Sequence, residues 1–90
     1  MTPIPEIKVA VFAAVHMLKD GCSIEIPDLG LVQYGNDYAD AYTLATMRID
    51  AIHEYDTARG LSYEVKATFE DVQNLCDARR GDFPTCITVS

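Results

Sequence analysis

The sequence predicts an α+β fold in which three helices pack on one face of a four-stranded mixed sheet, a two-layer sandwich in the order αββαβαβ. Of the 90 residues, 49% are hydrophobic and 23% are charged, which is enough apolar surface for one folded domain of this size. Single glycines separate segments of different periodicity, and there is no internal repeat or linker. Residues 1–90 are therefore predicted to form a single compact acidic domain.

The first segment, about Pro5 to Asp20, is predicted to be an amphipathic helix. Its polar residues fall on one arc at 100° per residue, and most of its apolar residues fill the opposite arc. Phe12 is the exception, because it lies inside the polar arc. We expect its ring either to be covered by another element or to be exposed for a partner.

The next segments predict a β-hairpin and a second helix. Ile24, Glu25 and Ile26 alternate between apolar and polar, the chain turns at Pro27 to Gly30, and a second strand follows. Asn36 or Asp37 is then positioned to cap a helix of about residues 38–59, which Gly60 ends.

The last third of the chain predicts a strand, a helix and a strand. Residues 61–67 (LSYEVKA) alternate strictly, which is typical of a half-buried strand. Thr68 and Asp71 have the spacing of a capping box, so a third helix is predicted from there to about Arg80. The sequence PTCITV is β-branched and predicts a closing strand. This last unit has the order of a right-handed parallel crossover.

The net charge of −7 is concentrated in the middle of the chain. Residues 20–56 hold eight acids and one base, Arg48, whereas the segments on either side are nearly neutral. Such a field repels nucleic acids and anionic membranes and attracts basic surfaces. We therefore expect a protein partner with a basic surface, and no direct contact with nucleic acid or membrane.

The three cysteines, Cys22, Cys76 and Cys86, indicate free thiols in a reducing compartment. Their number is odd and their spacing includes no C-x-x-C pair, so neither a disulfide framework nor a zinc knuckle is predicted. The apolar run near the N-terminus is interrupted by His16 and has no convincing cleavage pattern. It is also too short to span a bilayer. A cytoplasmic protein is expected.

The sequence contains the residues for two chemistries, and it favours neither. Asp50, His53 and Glu54 share one helix face and could begin a metal site, but that face is polar throughout and is more simply solvated. A cysteine paired with a histidine could act as a nucleophile, but Cys76 and Cys86 lie on apolar stripes and are better explained as small core residues. We therefore predict no enzyme, no cofactor, no metal, and no catalytic residue.

The remaining hypothesis is a small acidic protein-binding module. In this hypothesis the acidic segment covers a basic surface with which a partner protein, such as a nuclease, handles nucleic acid, and the partner is thereby inhibited. Phage anti-restriction and anti-CRISPR proteins share this size and charge, which is an analogy of class and not of sequence, and it would place the protein in the host cytoplasm. The predicted partner-binding residues are acids for steering and aromatic residues for anchoring: Glu25, Asp28, Asp40, Asp50, Glu54, Asp56, Tyr38, Tyr42 and Phe12.

The alternative is a structural or assembly subunit that binds a second copy of itself. Such a protein would use an open sheet edge or the face around Phe12. Raised salt should weaken a complex led by charge and leave an apolar interface between copies intact.

Overall fold

A computed structural model describes residues 9–60 and 65–89 of the chain. The strands are β1 (Val9–Leu18), β2 (Gly21–Ile26), β3 (Leu31–Gly35) and β4 (Phe83–Val89), and the helices are α1 (Tyr38–Ala58) and α2 (Phe69–Gln73). The strands form one sheet in the order β3-β2-β1-β4, and every neighbouring pair is antiparallel. The predicted fold class is therefore wrong, because the sheet is not mixed and the described ranges contain one long helix and one short helix.

The largest error concerns the first segment, whose described part forms the inner strand β1 and not a helix. β1 pairs with β2 on one side and with β4 on the other. Val9, Val11, Ala13 and Val15 face the core under α1. The residues between them face the other side of the sheet, which is also partly covered. A strand that is buried on both faces loses the alternation of polar and apolar residues, so its sequence resembles that of a buried helix.

The predicted hairpin is confirmed as β2 and β3, which pair from Cys22 opposite Gly35 to Ile26 opposite Leu31. A single 3-10 turn at Pro27–Leu29 joins them. Gly30 ends this turn with φ at 59°, in the left-handed region that only glycine adopts without strain. Its N–H donates to the Pro27 carbonyl at 3.1 Å.

The predicted second helix is confirmed as α1. Its N-cap is Asp37, whose side chain accepts a hydrogen bond from the Asp40 N–H at 2.8 Å. Ala41, Ala45 and Ile49 are buried against the sheet and form the helix side of the core. Gly35 allows this close approach, because a Cβ atom there would collide with the Ala41 backbone.

The chain direction of α1 is opposite to that of β3. Its Ala41 lies against Gly35, and its Arg48 donates to the Gln33 side chain at 3.0 Å. The rest of the helix extends about 15 Å further at 1.5 Å per residue. Its C-terminal half therefore lies towards the end of the sheet where β1 begins and β4 ends.

The segment before β4 is less regular than the sequence predicts. Residues 61–64 of the predicted strand lie outside the described residues, and Val65–Ala67 are not in a strand. The capping box of Thr68 and Asp71 is confirmed, but the helix that it begins ends at Gln73. A separate 3-10 turn, Ala78–Arg80, then leads into β4. The predicted final strand is confirmed as β4, and its pairing among the described residues is antiparallel, with β1. The predicted parallel crossover would begin in residues 61–64, so it lies partly outside the described residues.

Candidate functional site

The outer side of α1 carries the acidic residues that the sequence singles out. Asp40, Asp50 and Glu54 lie 100° to 180° around the helix from its buried stripe of Ala41 and Ile49. Asp40 also stabilises the start of the helix, because its Oδ2 accepts from the Asn36 N–H at 2.8 Å. Glu54 is exposed and Asp50 is half-buried, so both remain free to meet a partner.

None of the acids on α1 is neutralised by a cation among the described residues. The ion pairs within residues 9–60 and 65–89 join His16 to Glu25 and Asp82, and Arg80 to Asp77. The one arginine inside α1, Arg48, is directed to the β3 backbone and to Gln33 rather than to a carboxylate. The negative field of the helix is therefore available to an outside cation.

Asp50 has an additional feature that distinguishes it from a freely solvated acid. Its Oδ1 is buried and finds no hydrogen-bond donor among the described residues. A buried carboxylate oxygen without a donor is costly, at roughly 1–3 kcal/mol.

Asp56, the fourth acid of the helix, lies on a different side. It is half-buried and falls on the same arc as Ala41 and Ile49, but near the C-terminal end of the helix. It therefore adds to the charge of that end without joining the outer side.

The hairpin acids do not join the acidic side of α1. Ile24 and Ile26 face the helix, so Glu25 between them faces the opposite side of the sheet. There its Oε1 lies 3.0 Å from His16 Nε2. Asp28 is used structurally, because its Oδ1 accepts from the backbone N–H groups of Lys66 and Ala67 at 3.0 Å and 2.9 Å. The predicted partner-binding acids are thus divided between two faces.

Tyr38 and Tyr42 form one wall of a groove between α1 and β4. Their rings lie 5.7 Å apart, and the Tyr38 ring also meets Phe83 at 5.2 Å. The Tyr38 hydroxyl lies 3.2 Å from the Thr85 hydroxyl, within hydrogen-bond distance. The groove has a volume of about 420 Å³, and Thr85 and Cys86 of β4 are among the residues that line it. Aromatic walls with hydroxyl groups at the rim are typical of anchoring positions in protein interfaces.

Phe12 lies on the opposite face of the sheet and is covered from within the molecule. Its ring makes an edge-to-face contact with Phe69 at a centroid distance of 6.1 Å. Of the two alternatives that the sequence left open, the structure favours coverage by another element. Phe12 is therefore separated by the sheet from Tyr38 and Tyr42.

The sequence reasoning missed a cluster of His16, Glu25 and Asp82 on this opposite face. His16 Nδ1 lies 3.0 Å from Asp82 Oδ2, and Nε2 lies 3.0 Å from Glu25 Oε1. Asp82 also accepts from the N–H groups of Met17 at 2.9 Å and Asp77 at 3.0 Å. No local signal could have found it, since His16 and Asp82 are 66 residues apart.

The two pKa values in this cluster move in opposite directions. Burial by itself lowers the pKa of His16, but its hydrogen bonds to Asp82 and Glu25 outweigh burial and raise it. Burial by itself raises the pKa of Asp82, but the N–H groups of Asp77 and Met17 and the His16 ring lower it to about 2. The two carboxylates therefore favour the protonated form of the His16 ring that lies between them.

This arrangement does not suit nucleophilic catalysis. A histidine that activates a thiol needs one ring nitrogen free to accept a proton, and both His16 nitrogens already face carboxylates. Burial and the nearby charge of Asp82 raise the pKa of the Cys76 thiol, which disfavours the reactive thiolate. Burial likewise raises the pKa of Cys22. The cluster is better explained as a structural link between β1, β2 and the segment before β4.

Within the part of the chain that the structure describes, no group of three or more histidine, cysteine or acidic side chains is arranged so that it could hold a metal ion. No described helix is both long and apolar enough to cross a membrane. No protein-family model, curated protein or solved structure matches this chain. Its function is therefore argued from the geometry of the acidic helix side and the tyrosine groove.

Proposed function

We propose that this protein is a small binding module whose acidic helix covers a basic surface of a partner protein. The observation that carries the proposal is the set of acids on the outer side of α1, Asp40, Asp50 and Glu54, which have no cationic partner among the described residues. The Tyr38 and Tyr42 groove adjoins the first turns of the same helix and supplies anchoring area. In a protein interface, charged side chains raise the association rate and aromatic rings contribute buried contact area, so the two kinds of residue complement each other.

A surface that normally handles nucleic acid is the class of partner that best fits this charge. Such surfaces are rich in lysine and arginine, because they neutralise phosphates. A protein that occupies one of them blocks access to nucleic acid, so the expected consequence of binding is inhibition. This is how anti-restriction and anti-CRISPR proteins of similar size and charge act as a class.

The spacing of the acids on α1 fits a protein that covers a basic surface better than a protein that imitates the phosphate backbone of DNA. Asp40 and Glu54 are fourteen residues apart, or about 21 Å of helix at 1.5 Å per residue. B-DNA places a phosphate roughly every 3.4 Å along each strand. Glu25 and Asp28 do not fill the gaps, since each is bound elsewhere. Direct ion pairs and packing against the tyrosines are therefore the proposed basis of affinity.

The expected site of action is the cytoplasm. Cys86 is exposed and unpaired, and Cys22 and Cys76 are also free thiols. Free cysteines persist in reducing compartments, which is the support for this proposal.

A second candidate function is self-association as a structural or assembly subunit. The observation that favours it is the position of β4 at one edge of the sheet. This candidate and the acidic-helix proposal share part of one surface, because Thr85 and Cys86 of β4 also line the tyrosine groove.

The proposal is tested by capturing partners from a lysate of the cells in which the protein occurs. The tagged protein is washed at about 0.1 M and then about 1 M salt, which shortens the Debye length from about 10 Å to about 3 Å. We expect a nuclease or another nucleic-acid-binding protein to be retained at low salt, released at high salt, and inhibited when purified and recombined. Retention of the protein alone, at both salt concentrations, would contradict the proposal.

A further inference from the structure

The strand β4 forms one edge of the sheet and is unusually unprotected for an edge. One side of it pairs with β1, and no strand pairs with the other side within residues 9–60 and 65–89. Its seven residues, FPTCITV, include no charged side chain. Natural edges commonly carry a lysine, a bulge or an inward-pointing charge that discourages pairing. Here the sequence offers only Pro84, near the start of the strand.

The register of the sheet shows which β4 backbone groups point outward. The Met17 N–H donates to Asp82 Oδ1, so the N–H groups of odd-numbered β1 residues point towards β4. Val15 opposite Phe83 and Ala13 opposite Thr85 are then hydrogen-bonded pairs. Even-numbered β4 residues point their backbone groups away from β1.

The outward N–H groups on this edge are therefore those of Cys86 and Thr88. The third even-numbered residue, Pro84, has no N–H, so proline at this position costs no bond to β1. The outward carbonyl groups are those of Pro84, Cys86 and Thr88. A strand that pairs with this edge can therefore accept hydrogen bonds from two N–H groups and donate hydrogen bonds to three carbonyl groups.

A second copy of the same edge satisfies this pattern. In an antiparallel pair related by a twofold axis at Cys86, the two Cys86 residues exchange two N–H to carbonyl bonds. The N–H of each Thr88 then donates to the carbonyl of the other copy's Pro84. All four outward N–H groups are paired, and the missing proline donor leaves only one acceptor unpaired in each copy.

The side chains fit the same register. Phe83 of one copy lies opposite Val89 of the other, and Thr85 lies opposite Ile87, all on the face that carries α1. The Phe83 side chain is 37% exposed in the single chain, so pairing would give its ring further apolar contact. The apolar layer of one sheet would thus continue into the other.

The charges near this edge do not oppose a second copy, despite the net charge of −7 on each chain. β4 includes no charged side chain, and the turn before it balances Arg79 and Arg80 with Asp77 and Asp82. Arg80 lies 3.7 Å from the Asp77 carboxylate within the same chain. Pairing through β4 therefore places no like charges opposite each other across the axis.

We infer that two copies of this chain pair through β4 about a twofold axis at Cys86, joining two four-stranded antiparallel sheets into one. The pairing involves a single strand from each copy, so it belongs to the class of small, weak and reversible interfaces. It does not depend on the acidic-helix proposal, because it requires only this protein.

Sedimentation of the purified chain from about 10 µM to about 1 mM, a range suited to a weak interface, tests the inference directly. We expect a concentration-dependent dimer. Cys86→Lys places two like charges across the axis and should weaken the dimer at least tenfold, whereas Thr57→Lys, an equal charge change at an exposed position on α1, should leave it intact. Circular dichroism confirms that both variants fold. A monomer throughout the range, or a dimer insensitive to Cys86→Lys, overturns the inference.

The position of the axis is tested by thiol cross-linking. Directly opposed residues of a hydrogen-bonded pair have Cα atoms about 5.5 Å apart, so a short bis-maleimide should join the two Cys86 thiols. The cross-linked dimer should persist in Cys76→Ser and disappear in Cys86→Ser. Cys86→Ser should still form a dimer in sedimentation. A wild-type dimer that does not cross-link at Cys86 contradicts the proposed register.

Discussion

The two faces of the sheet are stabilised by different forces. The face under α1 is an apolar layer, in which Ala41, Ala45 and Ile49 pack on the strands. Among the described residues, the opposite face is covered by short elements and contains the charged cluster of His16, Asp82 and Glu25. The stability of the first face depends on how well apolar side chains fit together and how much apolar area they bury. The stability of the second face depends on a few directional hydrogen bonds. Substitutions should therefore affect the two faces in different ways.

The largest loss of stability is expected from Asp82→Ala. The change leaves the N–H groups of Met17 and Asp77 without an acceptor and the His16 imidazolium without its buried partner. Breaking a buried charge pair from one side typically costs about 3–5 kcal/mol. Urea unfolding of the variant measures the loss. Glu25→Gln is the control on the exposed side of the same histidine, and an equal loss in both variants would contradict a central role for Asp82.

A somewhat smaller loss is expected from Ile49→Ala on the other face. Ile49 is 1% exposed, and removing most of its side chain leaves a cavity between α1 and the sheet. Such changes cost about 2–5 kcal/mol, depending on how far the neighbours relax. The loss should be the same at pH 5 and pH 8, because no titrating group is involved. A strong pH dependence would show that the two faces are coupled.

The stability of the polar face should depend on pH in a defined window. The pKa of His16 is raised above 6.5 by folding, so its contribution is complete below pH 6.5 and is lost as the pH rises through the folded value. The pKa of Asp82 falls from 3.8 to about 2, so its contribution is present above pH 3.8 and is lost as the pH falls towards 2. The free energy of unfolding should therefore be greatest between these limits.

Thermal unfolding of His16→Gln tests the alkaline side of this window. The variant has no imidazole to titrate, so the fall in melting temperature that we expect for the wild type above pH 6.5 should disappear. His53→Gln is the matched control, because it removes the other described histidine, on α1. If the melting temperature of His16→Gln still falls above pH 6.5, a different titrating group is responsible for the fall.

The smallest effect is expected at the start of α2. Thr68 accepts a hydrogen bond from the Asp71 N–H at 3.1 Å, and the Asp71 side chain accepts from the Thr68 N–H at 2.9 Å. Thr68→Ala removes one of these bonds and should cost about 1 kcal/mol. Thr68→Ser keeps the hydroxyl and should retain most of the stability in urea unfolding. An equal loss in both variants would show that the methyl group matters more than the cap.

Local sequence patterns predict the elements whose stability is decided locally. The hairpin has its turn residues, α1 has its cap at Asp37 and its apolar stripe, and α2 begins at the capping box of Thr68. These signals depend on neighbours a few residues apart. The sequence reasoning therefore found these elements and placed the start of α1 correctly.

The elements that were predicted wrongly depend on distant neighbours. β1 contains alanines that favour a helix, but pairing with both β2 and β4 overrides that preference. The third helix stops early because Asp77 and Asp82 tie the following segment to β1 and to His16. The candidate site follows the same rule, since the helical periodicity places Asp50 and Glu54 on the polar side of α1, whereas the side of the sheet on which Glu25 lies depends on pairing between strands and is not fixed by local sequence.

The central claim is that the outer side of α1, and not the total charge, binds the partner. Asp50→Lys with Glu54→Lys changes the net charge by +4, and Asp20→Lys with Glu70→Lys makes the same change at exposed acids elsewhere. The measurement is the association rate of each double variant with the captured partner at about 0.1 M salt, where steering is strong. We predict a rate at least tenfold lower for the α1 variant and a much smaller change for its control. Equal slowing of both, or no slowing of either, would contradict the claim.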